Sequence, residues 1–201
     1  MSPALSEPIR VAVLISGAGS NMAALVERAE APGAAYEVAL VLSNIAGAAG
    51  LELASNKGIA TALIEHRGFG KDRLAHERAI DEALRSAGIQ VVALAGYMRV
   101  LTPWLVQAWQ GRMINIHPSL LPLHPGLDTH ARAIAAGDAE AGCSVHIVTE
   151  GVDEGPILGQ ARVDISDNET PESLAQKVKA VEHNLYPEVL SRFCQALSVE
   201  A

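Results

Sequence analysis

The chain has 201 residues, 49% of them hydrophobic, and a formal net charge of -8. This length and composition predict a single domain over residues 1–201, with residues 1–8 as a flexible leader. The net negative charge argues against nucleic acid or an acidic membrane surface as a general partner, because both attract clustered cations. Two cysteines, no basic apolar leader and no long apolar run predict a reduced, cytoplasmic protein that does not cross a membrane.

Apolar runs alternate with helical patterns through the first half of the chain. Strands are predicted at 11–15, 38–42, 60–64 and 91–95, and helices at 21–30, 48–57 and 72–87. This order is typical of an α/β protein with a mostly parallel, twisted sheet and helices on both faces. The second half predicts a helix at 102–110, a strand at 112–117, a short helix at 129–136, strands at 144–149 and 157–163, and a long final helix at 171–197.

The turn between the first strand and the first helix, residues 16–21, is rich in glycine. Glycines allow the amides of a helix amino terminus to approach an anion closely, so this turn predicts a phosphate site. The alternative is a tight turn in which Ser20 or Asn21 caps the helix, and the two roles can coexist. Met22 replaces the third glycine of a dinucleotide fingerprint, and no acidic residue lies near Ser43-Asn44 after the second strand. NAD is therefore disfavoured.

The run Asn115-Ile116-His117-Pro118 places an amide and an imidazole at the end of a predicted strand. Side chains alternate along a strand, so Asn115 and His117 are expected to project the same way. Pro118 cannot donate to a sheet ladder and ends the strand at an exposed rim, where open α/β sheets bind ligands. Asp153, in a loop between two glycines, could orient the imidazole and raise its pKa. A capping or purely hydrogen-bonding role for His117 is the alternative reading.

The sequence assigns no metal site and no catalytic role to the remaining histidines. His117, His124 and His130 lie within one irregular segment without the regular spacing of a metalloenzyme motif, so no metal site is predicted. His146 alternates with apolar neighbours, which indicates either a core histidine or a group supporting the site. The core role is favoured.

Six motifs occur in order between residues 10 and 187: GAGSN at 17–21, AGYMRVL at 95–101, NIHPSLLP at 115–122, SVH at 144–146, VDEGP at 152–156 and EH at 182–183. Together they resemble the phosphoribosylglycinamide formyltransferases, a folate-dependent family. The resemblance implies a Rossmann-like formyltransferase fold. It also implies transfer of a formyl group from 10-formyltetrahydrofolate to the amine of N1-(5-phospho-D-ribosyl)glycinamide in de novo purine biosynthesis, through a tetrahedral intermediate and without a metal.

The resemblance carries over to particular residues. Its essential amide, proton-transferring histidine and carboxylate correspond to Asn115, His117 and Asp153. Its phosphate site corresponds to Gly19, Ser20 and Asn21, and its contact to the ribonucleotide sugar to Glu182. Its folate site corresponds to Met98, Arg99, Val100, Leu101 and Asn115, and after a one-residue shift also to Arg73. The partners are these small molecules, and the protein is expected to be a monomer or a homodimer.

Three other functions remain for comparison. A formyltetrahydrofolate deformylase shares the catalytic residues but has an additional amino-terminal domain. A methionyl-tRNA formyltransferase has an additional carboxyl-terminal domain and needs a basic surface. A non-catalytic folate or nucleotide binder would not need Asn115, His117 and Asp153 together. All three are disfavoured.

Overall fold

The computed structural model describes residues 7–200, so most of the predicted leader lies outside the described residues. Seven strands form one sheet: β1 (Ile9–Ile15), β2 (Tyr36–Ser43), β3 (Ala60–Leu63), β4 (Val91–Leu94), β5 (Met113–His117), β6 (Glu140–Ile147) and β7 (Ile157–Asp164). Six α-helices connect or follow them: α1 (Ser20–Ala29), α2 (Ala49–Asn56), α3 (Arg73–Ser86), α4 (Pro103–Ala108), α5 (Thr129–Ala136) and α6 (Pro171–Glu200).

The strand order across the sheet is β3-β2-β1-β4-β5-β6-β7. The first five strands pair in parallel, while β6 and β7 pair antiparallel. Ser144 lies opposite His117 in the register, so the chain between β5 and β6 returns at the edge where it left, without a crossover. The predicted α/β fold, with a mostly parallel sheet and a long final helix, is confirmed.

Differences from the predicted elements are local. The strand predicted at 144–149 begins earlier, at Glu140, and ends at Ile147. A 3-10 helix at His66–Phe69 has no counterpart in the sequence prediction. It is one short turn whose residues show no hydrophobic period, and such turns depend on their tertiary neighbours.

Two apolar layers cover the two faces of the sheet. Alternate residues of β1 enter different layers: Val11 and Val13 face α1 and α6, whereas Ala12 and Leu14 face α3 and α4. Tyr186 of α6 is fully buried, and its hydroxyl donates to the Leu94 carbonyl at 3.0 Å. This bond fixes the long helix beside the carboxyl end of β4. Within the described residues, no helix combines the length and apolar character that a membrane span requires.

Candidate active site

A cavity of about 760 Å³ opens at the carboxyl ends of β4 and β5. Its walls are residues of segments 96–101, 126–130 and 148–153, together with side chains from α1 and α6. The volume is that of a typical small-molecule site, and the position is where open α/β sheets bind ligands. Asn115, His117 and Asp153 all line it.

The loop after β6 folds back so that Asp153 reaches the end of β5. Its Oδ2 lies 3.3 Å from Nδ1 of His117 and accepts the Gly126 amide at 2.9 Å. The other ring nitrogen of His117, Nε2, lies 3.1 Å from the His124 carbonyl oxygen. Because a carbonyl oxygen only accepts, Nε2 carries the proton of the neutral ring and Nδ1 faces the carboxylate.

His146 belongs to the same constellation, although the sequence favoured a core role. It pairs with Asn115 across the antiparallel register, so the two side chains share one face of the sheet. Nδ1 of His146 lies 3.0 Å from the Ile147 carbonyl oxygen, and Nε2 lies 3.2 Å from Nδ2 of Asn115. Nε2 also lies 3.5 Å from Oδ1 of Asp153. Polar contacts therefore run from Asn115 through His146 and Asp153 to His117.

Ser144, to which the sequence analysis gave no role, holds the loop that follows His117 by hydrogen bonds. Ser144, fully buried opposite His117, donates to the Ser119 carbonyl at 2.7 Å and accepts the Leu121 amide at 3.0 Å. These bonds hold the turn that begins at Pro118. Only the antiparallel pairing of β5 with β6 brings the serine there, so the local sequence carried no signal of it.

The expected rise in the pKa of His117 is not what the structure gives. Burial has the largest influence and lowers the pKa of His117, outweighing the His124 carbonyl and Asp153, which both raise it. Burial raises the pKa of Asp153, but the contact with His146, the Gly126 amide and nearby His117 together bring it below its ordinary value. The carboxylate does favour the charged ring, as predicted, yet the net pKa of His117 is lowered. Near neutral pH the pair therefore holds an ionised carboxylate and a neutral ring.

The glycine turn places a helix amino terminus beside the cavity. Gly19 occupies the N-cap position with φ +74°, and a Cβ there would lie 2.8 Å from the Gly50 Cα. Glycine is needed both for that conformation and for the close approach. Neither Ser20 nor Asn21 caps the helix, so the structure does not show the capping role that was the alternative to a phosphate site. The left-handed turn at Gly19 takes the cap position itself, and the amide of Asn21 points to α6.

Asn21 and Glu182 join α1 to α6 at the cavity wall. Nδ2 of Asn21 donates to Oε2 of Glu182 at 2.8 Å, and both residues line the cavity. Burial raises the pKa of Glu182, partly offset by Asn21 and by Lys179. Lys179 lies one helical turn earlier, is exposed and also lines the cavity. The sequence analysis missed this lysine, although the three-residue spacing from Glu182 indicated a shared face.

Four apolar side chains that line the cavity are exposed. Met98 and Val100 are 68% and 57% exposed, and Leu127 and Val152 are 69% and 50% exposed. Such a concentration indicates a binding surface for a flat or apolar ligand. The sequence analysis assigned the first two and missed the second two, which lie on loops without a hydrophobic period.

The other residues of the expected folate site divide into two groups. Arg99 and Leu101 line the cavity beside Met98 and Val100. Arg73 lies outside the cavity lining, at the start of α3, and its guanidinium donates to the Val100 carbonyl. Arg73 thus contacts the segment 98–101, but it does so through the backbone of that segment.

Two of the three histidines considered for a metal have other partners. His124 pairs with Asp138 at 2.6 Å, and His117 faces Asp153. Across residues 7–200, no group of three or more histidine, cysteine, aspartate or glutamate side chains is arranged to hold a metal ion.

Comparison with known proteins gives the family. The sequence profile described as formyl transferase matches residues 9–190, most of the chain. The chain belongs to the formyl transferase family. Its resemblance to the phosphoribosylglycinamide formyltransferases is also confirmed, by relatives and by solved structures of that name.

These relatives are similar over almost the whole chain. Phosphoribosylglycinamide formyltransferase of Escherichia coli is 41% identical over 92% of this chain and 87% of that protein. The crystal structure of phosphoribosylglycinamide formyltransferase from Brucella melitensis is 49% identical, with a TM-score of 0.89 over 94% of this chain and 96% of that chain. The trifunctional purine biosynthetic protein adenosine-3 of Bos taurus is 44% identical over 90% of this chain. The match spans only 18% of that longer protein.

Proposed function

We propose that this protein transfers a formyl group from 10-formyltetrahydrofolate to the amine of N1-(5-phospho-D-ribosyl)glycinamide. The observation that carries the proposal is the convergence of Asn115, His117 and Asp153 in one cavity. Asn21 of the glycine turn and the exposed apolar segment line the same cavity. Relatives named phosphoribosylglycinamide formyltransferase support the same reaction.

Two sets of residues suit the two substrates. The free amides at the start of α1, at Gly19, Ser20 and Asn21, suit a phosphate group, and exposed Lys179, one turn from Glu182, adds a positive charge. The buried carboxylate of Glu182 can accept hydrogen bonds from ribose hydroxyls. The apolar segment 98–101, with Leu127 and Val152, suits the flat ring system of the folate. No metal takes part in this proposal.

The amide of Asn115 is suited to stabilise the charge that develops during the reaction. When the amine attacks the formyl carbon, the carbonyl oxygen becomes negative in a tetrahedral intermediate. One N–H of Asn115 is directed to His146, which fixes the side chain and leaves the second N–H to donate to that oxygen. A fixed donor of this kind contributes about 3 kcal/mol to lowering the barrier.

His117 is suited to carry the proton. Its ring is neutral before the reaction, since burial lowers its pKa, and Nδ1 can take up a proton facing Asp153. The amine nitrogen forms a bond to the formyl carbon and loses one proton to the ring, directly or through water. The imidazolium, paired with Asp153, then returns the proton to N10 as the bond from N10 to the formyl carbon breaks. The products are the formylated glycinamide and tetrahydrofolate.

One assay separates this reaction from its rivals. Purified protein is incubated with 10-formyltetrahydrofolate, with and without the glycinamide ribonucleotide, and loss of the formyl group is followed. We expect loss only when the amine is present. Loss without the amine would indicate a deformylase, and no loss in either case, with folate bound, would indicate a non-catalytic binder.

The glycine turn gives a test of the phosphate site. Gly19→Ala is expected to raise the KM for the ribonucleotide at least about tenfold and to lower Tm by about 5 °C, because φ +74° strains alanine and its Cβ meets Gly50 at 2.8 Å. Gly17→Ala is the matched control, since a Cβ at Gly17 meets nothing within 4 Å. Equal ribonucleotide KM values for the two variants would contradict this role of the turn.

The pH dependence tests the His117–Asp153 pair. If His117 must be neutral to take up the proton, activity falls as the pH falls through its pKa. Asp153→Asn removes a carboxylate that raises this pKa, so the acid limb of the kcat/KM profile is expected to move to lower pH. The rate at neutral pH should also fall, because the imidazolium formed during the reaction loses its counter-charge. An unchanged profile and an unchanged rate would remove Asp153 from the proton path.

A further inference from the structure

The apolar segment that faces the folate has no regular secondary structure of its own. Residues 95–102 are neither helix nor strand, and Met98 and Val100 are largely exposed, so side-chain packing cannot fix their positions. A ligand that lies against this backbone nevertheless needs it held within a fraction of an ångström. Something else must therefore define its shape.

Three side chains from outside the segment bind its backbone at alternate residues. The hydroxyl of Ser16 accepts the Met98 amide at 2.8 Å. Arg73 donates to the Val100 carbonyl, and Glu77 accepts the Thr102 amide at 2.8 Å and the hydroxyl of Thr102 as well. The three contacts thus hold the backbone at the beginning, the middle and the end of residues 98–102.

Glu77 is a buried carboxylate side chain that takes no part in the proposed reaction. It is fully buried on α3, and both of its oxygens accept from Thr102. Burying a carboxylate is unfavourable unless its oxygens are hydrogen-bonded, and here those bonds go to the end of the folate segment. A neutral residue in α3 could pack there without that penalty, which favours a positioning role for Glu77.

Ser16 connects the segment to the glycine turn. It follows β1 directly, and its own amide donates to the Gly96 carbonyl at 3.1 Å. Its hydroxyl donates to Oδ1 of Asn44 at 2.6 Å, which leaves the oxygen free to accept the Met98 amide. Asn44 is itself buried, and its carbonyl lies 2.8 Å from Nδ1 of His66. Asn44 stands near the place where a dinucleotide-binding protein has an acidic residue, and here it orients Ser16.

We propose that Ser16, Arg73 and Glu77 are positioning residues that hold the backbone of residues 98–102 in the shape that the folate requires. Ser16 makes this segment and the phosphate-binding turn parts of one hydrogen-bonded unit. The inference rests on the proposed function. It gives Arg73 a role through the Val100 carbonyl.

The test is Ser16→Ala, which removes only the hydroxyl. The KM for 10-formyltetrahydrofolate and the Kd for tetrahydrofolate are expected to rise about fivefold, the effect of one lost hydrogen bond. The folate KM should rise more than the ribonucleotide KM changes and more than kcat falls, since Asn115, His117 and the amides of α1 are untouched. Hydrogen exchange of a peptide covering residues 97–102 should become faster, which reports the Met98 amide without any substrate.

Matched variants separate positioning from general destabilisation. Ser43→Ala removes a buried hydroxyl that bonds only to Ile45 within its own turn, so folate affinity should be unchanged. Ser16→Thr keeps the hydroxyl and should retain folate affinity. Glu77→Met should weaken folate binding, because the thioether side chain fills a similar volume but offers Thr102 no oxygen to accept its hydrogen bonds.

Two results would overturn the inference, and they differ. If wild type binds tetrahydrofolate and both Ser16→Ala and Glu77→Met bind it equally well, with unchanged exchange of residues 97–102, these residues do not position the segment and the proposed function stands. If wild type binds no tetrahydrofolate, the proposed function fails and the inference fails with it.

Discussion

Asn115→Ala is expected to lower kcat at least about a hundredfold while the protein stays folded. The side chain offers two N–H donors, of which one is bound to His146 and the other is free for the developing oxyanion. Alanine removes the free donor and leaves the intermediate oxygen without its fixed partner. Because the donor acts mainly in the transition state, both KM values should change far less than kcat.

The measurement is steady-state kinetics with both substrates, together with thermal unfolding. Asn184→Ala is a suitable control, since it removes an exposed amide of α6 that bonds only to the Ala180 carbonyl. The control should keep wild-type turnover. Near-normal kcat in folded Asn115→Ala would show that another group stabilises the oxygen and would refute this assignment.

His117→Ala is the second large effect, again with a fall in kcat of at least about a hundredfold. Without the imidazole, the proton of the attacking amine has no protein acceptor and N10 has no donor. Asp153 cannot take over. Its lowered pKa keeps it ionised and a poor base, and its Oδ2 is already bound to the Gly126 amide.

His117→Ala should change the pH dependence of the reaction as well as its rate. The acid limb of the kcat/KM profile should disappear in His117→Ala, whereas Asp153→Asn should only displace it. His183→Ala, at a partly buried histidine outside the cavity lining, serves as the control and should keep the limb. A folded His117→Ala protein that retains either the wild-type rate or the limb would exclude His117 as the proton carrier.

Local patterns were enough to predict where the candidate site residues on or beside regular elements lie. The alternation along β5 placed Asn115 and His117 on one face, and Pro118 located the strand end at the rim. The glycine turn predicted a helix start beside the site, and the structure has one at Ser20. The register of β6 was not predictable in this way, because nothing in the local sequence shows that Ser144 pairs with His117.

The sequence by itself determined the order of strands and helices, the amphipathic stripe of α6 and the common face of Asn115 and His117, since these depend on neighbours a few residues apart. Only the tertiary structure decided that His146 orients Asn115, that Arg73 reaches the folate segment through a carbonyl, and that burial lowers the pKa of His117. These features depend on which residues meet across the sheet and on how much water the folded chain excludes. The hydrophobic period of the sequence indicates neither the contacts across the sheet nor the exclusion of water.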